Sequence, residues 1–139
     1  MTSLDVIENR VSSVKKYLKY VERYRKYSQS ELENSIDLKG AFERYLYLVC
    51  QSSIDLAEAV ISYRRYRKPS SMHESFEILH EEEIISFDLM QNLVAMAGFR
   101  NVITHGYDKL DFGKMYAILQ DDLKDVRMFL DIIIESSHL

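Results

Sequence analysis

One proline, Pro69, and four glycines are all the backbone breakers in 139 residues. Such scarcity leaves long, uninterrupted helices as the expected building block. The apolar spacing agrees. Leu4, Ile7, Val11, Val14, Leu18 and Val21 alternate steps of three and four residues, which draws one stripe along an α-helix. Ser3 precedes this run as a candidate N-cap, and the pattern dissolves at Ser28, Gln29 and Ser30. A second helical run carries Phe42, Leu46, Val49, Leu56 and Val60, with Ala41, Ser53 and Ala57 as small contacts that allow close packing. Ile36, Leu38 and Gly40 leave its start open to a preceding turn. Lys68-Pro69-Ser70-Ser71 is the clearest break, because proline and the residue before it both resist helix.

Beyond the break the pattern predicts a short helix over 74–82 that buries Phe76 and Leu79. Another helix opens near Ser86 and runs through Leu89, Met90, Leu93, Val94, Met96 and Ala97 towards Arg100. Residues 108–113 read as a loop. A last helix shows Tyr116, Leu119, Leu123, Val126, Leu130 and Ile133, again at alternating steps. Strand-like alternation is sustained nowhere. The expected fold is all-α: an antiparallel four-helix bundle with an additional short helix, one domain over residues 1–139.

Composition sets the class. At 47% hydrophobic and 29% charged the chain is globular rather than disordered, and its length supports a core without disulfides or metal. The only cysteine, Cys50, falls in the apolar run 46–50 and reads as a buried thiol in a reducing compartment. A leader segment and an apolar run of membrane-spanning length are both missing from the pattern, so a cytoplasmic, soluble protein is the expectation.

A net charge of −4 argues against a dedicated high-affinity nucleic-acid binder. The cations are nevertheless clustered. Lys15, Lys16, Lys19, Arg23, Arg25 and Lys26 load one segment, and Arg64, Arg65, Arg67 and Lys68 another, with tyrosines among both sets. Such clusters serve RNA through phosphate contacts and stacking, or form the solvated faces of amphipathic helices. Charge runs on helices are mostly of the second kind. The acidic counterpart lies in Glu81, Glu82 and Glu83 and in Asp121, Asp122 and Asp125.

Chemistry is concentrated in the ten residues from Gly98 to Tyr107. Arg100 and His105 are five apart, a rotation of about 140° on a continuous helix. Gly106 suits a left-handed helix ending, from which His105 and Tyr107 can turn back towards Arg100. Arginine and histidine in a last turn are also ordinary complements of the helix dipole. Asp55 interrupts an apolar helix, either as a hydrogen-bonding partner of the motif region or as a satisfied polar residue at an interface. His73 and His80 near Glu81 to Glu83 lack the spacing of a zinc site and read as surface histidines. No glycine-rich phosphate loop or nucleophile elbow occurs around Ser70-Ser71 or elsewhere.

Arg100, His105 and Tyr107 together have the form R-x4-H-x-Y, which resembles the signature of HepT-like toxins in the HEPN superfamily of helical ribonucleases. The likeness extends to Gln51-Ser52-Ser53-Ile54-Asp55-Leu56-Ala57, to Pro69, to Glu74-Ser75-Phe76 and Leu79, and to Met96-Ala97-Gly98-Phe99-Arg100-Asn101. Residues 40–110 carry it in detail. Gly106 departs from the acidic residue common at that position.

The resemblance implies an endoribonuclease that needs no metal or cofactor and cleaves by attack of a ribose 2′-hydroxyl on the adjacent phosphate. His105 would then move the proton, since imidazole titrates near about 6.5, and Arg100 would hold the phosphate. Asn101 and Asp55 would support them. A homodimer would bring two motifs to one cleft. The resemblance also implies a toxin of a type VII-like pair, with an MntA-type minimal nucleotidyltransferase as antitoxin and Tyr107 as acceptor of AMP. A non-catalytic helical adaptor presenting substrate to such a transferase is the alternative, and a plain dimerisation module a third class.

Overall fold

The computed structural model describes residues 3–105 and 111–139, with only the backbone described for Val102, Thr104 and His105. In chain order it contains α1 (Leu4–Glu22), a 3-10 turn (Arg23–Lys26), α2 (Gln29–Asn34), α3 (Ile36–Arg64), α4 (Met72–Glu81), α5 (Phe87–His105), α6 (Phe112–Ala117), a π-helical turn (Ile118–Asp122) and α7 (Leu123–Ser136). No strand occurs among the described residues. The fold is the all-helical one expected from the spacing, with α1, α3, α5 and the α6–α7 unit as long helices, α4 as the expected short one and α2 as a second short helix.

Helix α3 is the central post, packed by α1, α2, α4 and α5. Ile7, Val11, Val14, Leu18 and Val21 form the buried stripe of α1. Leu4 belongs to the same spacing but is 37% exposed, since it opens the helix beyond the reach of the core. Ser3 occupies the N-cap position in an extended conformation, without a side-chain hydrogen bond to the helix. Edge-on ring pairs tie the distant elements: Phe76 to Phe129 and Phe42 to Phe112, each at 5.7 Å between centroids. The buried Ser52 and Ser53 hydroxyls donate to the Val49 carbonyl at 3.2 and 2.7 Å, so the centre of α3 carries polar side chains without orphaned donors. Cys50 is fully buried. Its thiol is pushed up to about 12, first by desolvation, which makes it inert rather than nucleophilic.

Four local features differ from the spacing-based reading, the first being that Phe112 and Gly113, read as the end of a loop over 108–113, open α6, while residues 108–110 of that loop lie outside the described residues. Ser28 does not end a helix into a loop; it begins α2. Its hydroxyl accepts from the Glu31 N–H at 3.1 Å while the Glu31 carboxylate accepts from the Ser28 N–H at 3.0 Å, a capping box written as Ser28-Gln29-Ser30-Glu31. No turn precedes α3 at residues 36–40: Ser35 caps it through the Leu38 N–H at 3.2 Å, and Gly40 lies within the helix. The C-terminal helix is broken by the π turn, which places Ile118 and Leu119 in the core together. Arg25 donates to the Leu119 and Gln120 carbonyls there, at 3.0 and 3.1 Å.

Of the first basic cluster, Arg23 and Arg25 are thus engaged within the molecule, while Lys15, Lys16, Lys19 and Lys26 are exposed. Arg23 lies over the rings of Tyr20 and Tyr45, and Tyr17, Tyr24 and Tyr27 pack against the core. The break at Pro69 is as expected. α3 ends when Arg65 turns left-handed (φ 60°, ψ 38°), with Tyr66 N–H to Ile61 O at 3.0 Å and Arg65 N–H to Ser62 O at 3.3 Å, the Schellman closure. Among the described residues no helix is long and apolar enough to cross a membrane.

Candidate active site

Arg100 of the motif meets its described partners between α3 and α5. A hydrogen bond from the Cys50 thiol to the Met96 carbonyl, 3.5 Å, registers the two helices. One turn beyond Met96, half-buried Arg100 crosses to α3. Its Nε donates to Gln51 Oε1, one terminal nitrogen donates to Asn101 Oδ1 at 2.9 Å, and the guanidinium lies over the Tyr47 ring, 5.6 Å from its centroid. Gln51 Nε2 in turn donates to Asp55 Oδ1 at 2.8 Å.

This chain of bonds has a direction. An ionised carboxylate only accepts, so Asp55 can hold only the NH2 end of the Gln51 amide. The amide oxygen is thereby turned towards Arg100. Gln51 and Asn101 are neutral amides, and these two bonds orient the guanidinium. Stacking on Tyr47 adds a third constraint that suits a planar guanidinium.

The backbone remains helical from Arg100 to His105. His105 therefore follows Arg100 by a rise of about 7.5 Å and a rotation of about 140°. The His105 side chain lies outside the described residues, as do Gly106 and Tyr107 entirely. Asp55 reaches the motif as a hydrogen-bonding residue, through Gln51. Asn101 is exposed and serves its neighbour Arg100. The histidines on α4 are elsewhere: His80 Nδ1 lies 3.1 Å from the Ile85 carbonyl, and His73 Nδ1 is buried without a hydrogen-bond partner. Among the described residues no cluster of His, Cys, Asp and Glu has a metal-holding arrangement.

Tyr47 and Gln51 are the site residues that sequence reasoning missed. Their signal is a seam on the most buried helix. Between positions 46 and 62 of α3, all residues are buried except Tyr47, Leu48, Gln51, Asp55, Glu58 and Ser62. At 100° per residue, Tyr47, Gln51, Asp55, Glu58 and Ser62 fall within about 80° of one another. Polar side chains thus share the one solvent-facing strip of the central post. Glu58 is held above the usual carboxylate range by partial burial and then by Asp55.

A family model described as Ribonuclease HepT-like matches residues 14–133. An mRNA nuclease HepT of Shewanella oneidensis is 27% identical over 130 residues, 93% of this chain and 96% of its own. A tRNA nuclease HepT of Aphanizomenon flos-aquae is 24% identical over 132 residues, 94% and 90% of the two chains. Among solved structures, the tri-AMPylated Shewanella oneidensis HEPN toxin in complex with MNT antitoxin has a TM-score of 0.85 at 26% identity, covering 93% of this chain and 96% of that one. The cytosolic protein YutE of Bacillus subtilis has a TM-score of 0.83 at 17% identity, covering 97% and 90%, a likeness of fold alone.

Proposed function

The chain belongs to the HepT-like ribonuclease family, and on that premise we propose that it is the toxin of a type VII-like toxin–antitoxin pair, a metal-independent endoribonuclease acting as one domain over residues 1–139 in the cytoplasm. The observation that carries the reading is the anchored guanidinium of Arg100, oriented by two neutral amides and a ring, on the same helix as His105. In the reaction, the RNA 2′-hydroxyl loses its proton to His105 and its oxygen bonds to the adjacent phosphorus. The bond from phosphorus to the 5′-oxygen then breaks, leaving a 2′,3′-cyclic phosphate, and the departing 5′-oxygen takes a proton from the protonated imidazole of the second copy's motif to become a hydroxyl. Arg100 meets the charge that builds on the phosphoryl oxygens, the task for which a preorganised fork is best suited. Asn101 and Asp55 keep that fork aimed. Each chain brings one motif imidazole, so two protomers that share a cleft supply an acid and a base together, and the active form is a homodimer.

Control follows the pattern of the Shewanella relative, whose structure is of a tri-AMPylated toxin with its antitoxin. An MntA-type nucleotidyltransferase is the partner, and Tyr107 the acceptor of AMP. A phosphodiester and a base placed two residues from His105 would occlude the cleft and compete for Arg100.

Cleavage of RNA by the purified protein is the test. Arg100→Ala and His105→Ala should each lose roughly 10²–10⁴ in rate with helicity and melting temperature retained, and chelators should leave the wild type active. Equal rates in the variants would refute the assignment. A folded wild type that cleaves nothing yet binds the transferase would favour the adaptor reading instead. For Tyr107, peptide mass spectrometry after co-expression with the partner should find AMP on that residue, and Tyr107→Phe should escape silencing. AMP found only elsewhere, or normal silencing of the phenylalanine variant, removes the acceptor assignment and leaves the nuclease intact.

A further inference from the structure

The polar seam of α3 does not stop at Asp55. It continues through Glu58 and Ser62 to Arg65, and these last three line an open cavity of about 510 Å³ together with Tyr66 and Lys68. Ile61 and Pro69 give the cavity apolar wall. From Gln51 to Arg65 the rise along the helix is about 21 Å, the reach of a few nucleotides of extended strand. The Arg100 anchor and this cavity therefore occupy two ends of one solvent-facing track.

The second basic cluster lies at this end of the track. Arg64 is tied to the Ser136 carbonyl at 2.6 Å, and Arg67 is paired with Glu74 and Glu81. Arg65 and Lys68 face the cavity. Arg65 reaches it from a left-handed backbone (φ 60°), a conformation that glycine adopts without strain and arginine does not. Tyr66 is packed against the core on one side, so its ring is held rather than loose. Cations beside a fixed aromatic ring are the elements by which proteins hold single-stranded nucleic acid without reading its sequence.

We propose that this cavity is a second RNA subsite, which takes a nucleotide flanking the bond cleaved at Arg100 and His105. The inference rests on the ribonuclease reading. Phosphates lie towards Arg65 and Lys68, and the base stacks on Tyr66. Asp55, between the two sites, repels phosphate, and Glu58 in the cavity wall accepts hydrogen bonds from sugar hydroxyls or base amino groups. A chain of net charge −4 thus grips a polyanion at two separated cationic points rather than over a broad basic face.

Two variants outside the catalytic machinery test this. Arg65→Gly removes the cation while relieving the left-handed backbone, and Lys68→Glu reverses a surface charge. Steady-state cleavage is measured on a long single-stranded RNA and on a dinucleotide that spans the scissile bond alone. KM for the long strand should rise about tenfold in the double variant, a loss of the size of one stacked or paired nucleotide, with kcat unchanged and dinucleotide kinetics unaffected. The slope of log affinity against log salt should shrink by about 0.7 for each lost phosphate contact. Unchanged kinetics on the long strand, or the same proportional loss on the dinucleotide, overturns the subsite. Loss of transferase binding with RNA kinetics intact would make the cavity a protein surface and overturns it as well. A wild type that cleaves both RNAs with no effect of the variants sinks only this inference. One that cleaves neither removes the ribonuclease reading and the subsite with it.

Discussion

At the scale of single residues, the arrangement around Arg100 depends on one amide. Gln51 supplies the acceptor for the guanidinium because Asp55 holds its other end. Gln51→Leu should leave Arg100 charged but loosely aimed. A hydrogen bond to a charged group contributes about 1.5–3 kcal/mol, so kcat should fall roughly tenfold or more with the fold intact. Gln51→Glu should behave differently: it keeps an acceptor in place but neutralises the cation, so KM should rise more than kcat falls. Asp55→Asn acts through the amide and should cost less than either, by permitting the Gln51 side chain to flip. Kinetics of the three variants on one RNA check the ordering. An unchanged kcat in Gln51→Leu would show that Arg100 needs no positioning from α3.

At the scale of elements, Gly40 is out of place. It sits within α3, exposed, and an added Cβ would meet nothing within 4 Å. Alanine there removes the conformational cost of glycine in a helix at no packing expense, so Gly40→Ala should stabilise the protein by about 0.5–1 kcal/mol, read as a rise in thermal midpoint. A fall would mean that the start of α3 must yield for some purpose. The same stretch shows why parts of the fold were legible in the sequence and parts were not. The α1 stripe needs only its own periodicity, and so does the break at Pro69. Ser28 and Ser35 carry cap signals, but Gly40 and a weak apolar pattern around Ile36 mask the long helix that follows. The π turn is hidden because Leu119, Leu123, Val126 and Leu130 keep steps of three and four across it, and only Ile118 joining them in the core betrays the extra residue. Arg100 and Asn101 could be picked from the motif. Tyr47 and Gln51 could not, because their role depends on the register between α3 and α5, which is set by packing around Cys50 and Met96.

At the scale of the whole molecule, the question is whether one chain is enough. General acid and general base must act at opposite ends of the same reaction, on the attacking and the departing oxygen. The proposed mechanism gives each chain one histidine for both. None of the other histidines offers a second, since His73 Nδ1 is buried without a partner, His80 faces the Ile85 carbonyl and the Phe87 ring, and His138 follows the end of α7, which lies by Arg64 at the far end of α3 from Gln51. An isologous pair, the commonest assembly among oligomers, solves this by bringing two copies of the Arg100–His105 helix end to one cleft. Light scattering at micromolar concentration should therefore find a dimer, and cleavage should fall with dilution in step with its dissociation. Mixed dimers sharpen the test. If each cleft needs both histidines, a wild-type chain paired with His105→Ala should lose activity to nearly the level of the doubly substituted dimer rather than to half. A monomer that cleaves at the full rate, or a mixed dimer that retains half the activity, would show that a single Arg100 and His105 suffice.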